Sequence, residues 1–81
     1  ITGIELSTAS SQSSIENNRV YDINQTNSSG YASEGIRVSS GNSNRIINNL
    51  VYDIKGFGDN ATVGSNISGI SLEGGDFHEV Y

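Results

Sequence analysis

The chain has 81 residues, nine acidic side chains against four basic ones for a net charge of −5, and no Cys, Pro, Met or Trp. That charge disfavours non-specific binding to nucleic acid or to anionic membranes, the lack of cysteine removes disulfides and thiolate metal sites, and no apolar run approaches the roughly 20 residues of a membrane helix. Only 33% of residues are hydrophobic, too few for an ordinary two-layer core, yet 10 Ile stand beside 14 Ser, 10 Asn and 10 Gly, a β-branched content that argues against disorder.

In chain order, the first element is "GIEL" at 3–6, where Ile4 and Leu6 alternate around Glu5, the period-2 pattern of a half-buried strand. A polar connector, "STASSQSS", leads to Ile15 and then to "NNRVYDI" at 17–23. In this block Ile15, Asn18, Val20 and Ile23 are spaced by 3, 2 and 3, which fits neither a helix nor one straight strand and predicts short strands separated by bends. After "NQTNSSGYASE" the series begins again: "GIRV" at 35–38, a connector, Ile46, "NNLVYDI" at 48–54, the loop "KGFGDNATVGSNIS", and "GISL" at 69–72. The heptads differ at one position in seven, and only the connectors vary in length. Leucine-rich repeats need shorter periods and more than the three Leu present, and a β-sandwich would not generate near-identical heptads.

A strand, bend, strand and loop repeated every 31 to 34 residues predicts an all-β fold, a parallel β-solenoid of about two and a half coils. The coils run roughly over 3–34, 35–68 and an incomplete 69–81, within one repeat segment covering 1–81. The expected inner core is Ile4, Leu6, Ile15, Val20, Ile23, Ile36, Val38, Ile46, Val51, Ile54, Ile70 and Leu72. A chain that begins without Met reads as a slice of a longer protein. Open strand edges at both ends predict that the isolated 81-mer is unfolded or aggregates.

The pattern I-x-x-N-x-V followed by a loop and G-I-x-L resembles the coils of right-handed parallel β-helix proteins of the pectin-lyase-like group. The "NNxVYDI" wording resembles long secreted or surface proteins of Bacteroidetes-type bacteria exported by type IX secretion. The resemblance implies that the solenoid is a right-handed parallel β-helix and that Asn18 and Asn49 occupy an inward turn, where stacked amides bond to one another and to the backbone at a spacing of about 4.8 Å.

Few residues suggest chemistry. Tyr21 and Tyr52 recur at one position and should stack on the outside, either covering a strand edge or offering a surface to sugar rings. Asp22 and Asp53 are read as bend caps, with a shared calcium as the alternative and the only cofactor considered; no catalytic residue, cofactor site or firm metal site is expected. Glu5 and Arg37 predict an exposed cross-strand ion pair. His78 is read as a surface side chain and "GGD" at 74–76 as a turn. The N-x-S/T triplets at Asn24, Asn27, Asn60 and Asn66 mark the two long loops as exposed, and Tyr31 and Phe57 in the same loops join the candidate ligand surface.

Two classes of function follow. The favoured one is a non-catalytic segment of a secreted or cell-surface protein, a rigid, adhesin-like or carbohydrate-contacting shaft; the other is a slice of a polysaccharide lyase or glycoside hydrolase whose catalytic coils lie elsewhere. An enzyme would show one coil departing from the repeat with clustered Asp, Lys or Arg, whereas the departures here are loop lengths. The expected partners are surface glycans and outer-membrane export or anchoring proteins, not nucleic acid.

Overall fold

The computed structural model describes residues 1–7, 11–26, 32–56 and 67–81. These form ten strands and no helix: β1 (Thr2–Leu6), β2 (Ser14–Glu16), β3 (Arg19–Val20), β4 (Ile23–Asn24), β5 (Ser33–Val38), β6 (Arg45–Ile47), β7 (Leu50–Val51), β8 (Ile54–Lys55), β9 (Ile67–Leu72) and β10 (Glu79–Val80). Every strand pairing among the described residues is parallel. The sheets order as β1-β5-β9, β10-β6-β2, β3-β7 and β4-β8, so each strand lies beside the one holding the same place in the next sequence repeat. The chain is therefore all-β with parallel sheets.

Register follows the sequence repeat residue for residue. Ile4 faces Ile36 and Ile36 faces Ile70; Ile15 faces Ile46, Val20 faces Val51 and Ile23 faces Ile54. The hydrogen-bond ladders continue through the bends, where the amides of Asn17 and Gln25 donate to the carbonyls of Ile47 and Lys55 one repeat away. Backbone groups of the connectors thus find partners in the neighbouring repeat and need no helix or hairpin to satisfy them.

The bends themselves are left-handed. Gln12, Asn17 and Asp22 all have φ near +57°, and Ser43, Asn48 and Asp53 repeat the set one period later. These residues fall five apart within each repeat, which explains the 3-2-3 spacing of the inward residues: each short strand ends at a left-handed residue that turns the chain. Asn and Asp tolerate this conformation better than other non-glycine residues.

The glycines of the G-I-x-L series have a packing reason. A Cβ on Gly3 would lie 2.7 Å from Val20 Cγ1, and one on Gly35 would lie 2.4 Å from Val51 Cγ1. β1 and β5 pass so close over Val20 and Val51 that no side chain fits at Gly3 or Gly35, and there the glycine and the isoleucine after it both face inward. Simple alternation therefore fails at this point, and Glu34, which precedes Gly35, interacts with Arg37, Ser71 and Glu73.

The core is Ile15, Val20, Ile36, Val38 and Ile46, with Ile4, Leu6, Ile23 and Val51 packed against it. Ile54 is half-buried. Two members of the expected core differ: Ile70 and Leu72 are 37% and 46% exposed, although they stand in register with the fully buried Ile36 and Val38. Their position on the inward line is as the pattern predicts, but no described strand covers them from the far side.

Candidate functional site

Asn18 and Asn49 form a ladder. Asn49 Oδ1 accepts from the Asn18 backbone amide at 2.9 Å and from Asn18 Nδ2 at 3.0 Å. Each side chain also donates to the backbone, Asn18 Nδ2 to the Glu16 carbonyl at 3.0 Å and Asn49 Nδ2 to the Ile15 carbonyl at 2.9 Å. These bonds tie both side chains to the turn and to each other.

A second line of this kind escaped the sequence reading. Ser13, Asn44 and His78 occupy one rung position, with the same separations of 31 and 34 residues as the repeat. The fully buried Asn44 takes the Ser13 amide on Oδ1 at 2.9 Å, and its own amide donates to His78 Nδ1 at 3.3 Å. Since Nδ1 accepts, Nε2 carries the hydrogen and donates to the Gly74 carbonyl at 2.8 Å. His78 is consequently a half-buried rung rather than the surface side chain expected. The signal was present in the spacing but hidden by three different residue types in one column.

Tyr21 and Tyr52 stack, with ring centroids 5.2 Å apart and planes 7° from parallel. Each ring covers one face of the other, and both side chains remain exposed, at 52% and 43%. Asp22 and Asp53 sit at left-handed bends, which accounts for the residue type without a ligand. The cation near them comes from the chain: Lys55 Nζ lies 2.9 Å from Asp53 Oδ1, and this hydrogen bond, with the charges of Asp53 and Asp22, raises the Lys55 pKa. Among the described residues no group of three His, Asp or Glu side chains could hold a metal.

On the outer face of β5, Arg37 pairs with Glu5 at 3.6 Å, as the sequence predicts, and also with Glu73 from its Nε. The "GGD" segment is a turn: Gly75 has φ +84°, and a Cβ there would collide with the Gly41 carbonyl of the preceding repeat. An open hollow of about 600 Å³ runs beside the tyrosines, lined by Asn17, Asn18, Arg19, Tyr21, Asn48 and Leu50. Asn48 Nδ2 donates to Asn17 Oδ1 at 2.9 Å along its rim. Tyr31 and Phe57, and the triplet asparagines Asn27, Asn60 and Asn66, lie outside the described residues, while Asn24 is exposed on β4. No protein-family model matches the chain, and no curated protein or solved structure is significantly similar to it.

Proposed function

We propose that this segment is part of the non-catalytic shaft of a secreted or cell-surface protein, built as a right-handed parallel β-helix with coils over roughly 3–34, 35–68 and an incomplete 69–81. The observation that carries the reading is the use made of the chemistry-bearing side chains. Asn18, Asn49, Asn44 and His78 are bonded to backbone, Asp22 and Asp53 form bends, and Tyr21 covers Tyr52. Parallel ladders linking each strand to its counterpart in the next repeat support the solenoid, and the strong preference of parallel connections for the right hand supports its handedness.

A shaft of this type is soluble through its acidic, Asn- and Ser-rich rim and matures without redox chemistry, which suits export. Its partners are outer-membrane export or anchoring proteins. Surface glycans meet it along the hollow beside β3 and β7, where tyrosine hydroxyls and asparagine amides hydrogen-bond to sugar hydroxyls. Fractionation of the source cells tests the reading: the full-length product is expected in the medium or on the surface with its N-terminal signal removed, and as a rod under the electron microscope. An unprocessed, globular product in the cytosol would overturn it.

A further inference from the structure

Three carboxylates surround one guanidinium on the outer side of the β1-β5-β9 sheet. Glu5 on β1 and Glu73 just beyond β9 both pair with Arg37 on β5, and Glu34, also on β5, shares the surroundings of Arg37 and Glu73. The fully ionised group carries three negative charges against one positive. Glu34 is the member least able to bear its charge. It is 4% exposed, and its Oε2 has no hydrogen-bond partner. An unpaired carboxylate oxygen away from water is among the costlier arrangements in a protein, and binding a proton relieves it.

We propose that Glu34 is a proton-operated latch on the seam between β5 and β9: neutral, it lets β9 and Glu73 settle against β5, and ionised, it competes with Glu73 for Arg37 and loosens that seam. The other seam of the same strand, between β1 and β5, has only Glu5 on its side and serves as an internal reference. Burial is the largest influence raising the Glu34 pKa above 4.5, followed by the charge of Glu73. Arg37 and the Ser71 hydroxyl act in the opposite direction and are outweighed. Because the folded value is raised, the folded chain holds a proton that the unfolded chain has lost. The stabilisation is complete below 4.5 and is lost as pH rises through the raised folded value.

The test is hydrogen exchange on the full-length product across pH 4 to 7, corrected for the intrinsic exchange rate. The reporter is the Glu73 amide, which donates to the Val38 carbonyl across the β5–β9 seam at 2.8 Å. The control is the Ser39 amide, which donates to the Leu6 carbonyl across the β1–β5 seam at 3.0 Å. Protection at Glu73 should fall with rising pH by up to about tenfold per unit, the limit for one proton, with a much smaller change at Ser39. Glu34→Gln, which keeps the shape and removes the charge, should abolish the difference and leave the seam closed throughout. If Glu34→Gln retains the dependence, or if the wild-type seam is indifferent to pH, the latch does not exist. A carbon-13 titration of the Glu34 carboxyl in the wild-type product decides the matter independently of any variant: a midpoint at or below 4.5 overturns the proposal.

Discussion

The second and third repeats place apolar residues at the same inward positions in register, and these differ sharply in burial. Ile36 and Val38 on β5 are fully buried, whereas their partners Ile70 and Leu72 on β9 are 37% and 46% exposed. Ile46 on β6 is 1% exposed and Val80 beside it on β10 is 45% exposed. Among the described residues, β5 and β6 of the second repeat have a parallel neighbour on both sides, β7 and β8 pair only with β3 and β4, and β9 and β10 of the third repeat pair only with β5 and β6. Among the described residues the deepest burial falls on strands paired on both sides, at Ile36, Val38 and Ile46, while Ile15 and Val20, on strands paired on one side, are still buried at 6% and 7% exposure.

The contrast can be broken most strongly with alanine. Ile36→Ala should destabilise the full-length product by about 2–5 kcal/mol in a denaturant melt, as for large-to-small changes in closed cores, while Ile70→Ala should lose well under half as much. Equal losses would mean that β9 is covered by something outside the described strands.

Glycine gives the next largest difference. Gly35→Ala forces a methyl against Val51 Cγ1 at 2.4 Å and the Gly69 carbonyl at 2.6 Å, whereas the same change at Gly69 meets only Val51, at 3.7 Å. The first should cost about 1–3 kcal/mol and the second close to nothing, read as the shift in unfolding midpoint. A comparable loss of about 1–3 kcal/mol is expected for Asn49→Leu, which leaves the Asn18 backbone amide without its acceptor. At the end of the other line, His78→Asn should be nearly neutral, since Asn already occupies that rung position at Asn44.

The smallest expected effect has the opposite sign. Phe77 is 83% exposed and has φ +60°, standing where the earlier repeats place Gln12 and Ser43. Its ring packs on little and its backbone is strained, so Phe77→Asn should stabilise the third repeat by about 1 kcal/mol. A destabilisation would show that the ring is seated on a surface outside the described residues.

Much of this organisation is legible in the letters. The pairing of Ile4 with Ile36 and Ile70, of Val20 with Val51 and of Asn18 with Asn49 can be read from identical spacings, because a parallel stack places like upon like. The Ser13, Asn44 and His78 line could not be read in that way, since its three residues share a place and a hydrogen-bonding role but no side-chain type. Nor could the latch: Glu34 looks like any polar residue before a strand until the close pass at Gly35 disrupts the alternation beside it.

The sequence alone determined which residues lie on the inward lines, where the bends fall, and that successive repeats lie parallel and in register, because those properties are local and recur with the period. Only the tertiary structure decided how deeply each inward residue is buried, which bend residues adopt positive φ, and which of the outer charges crowd one another. Those outcomes depend on what stands above, below and across from each residue, and two residues of identical local sequence can differ in all three.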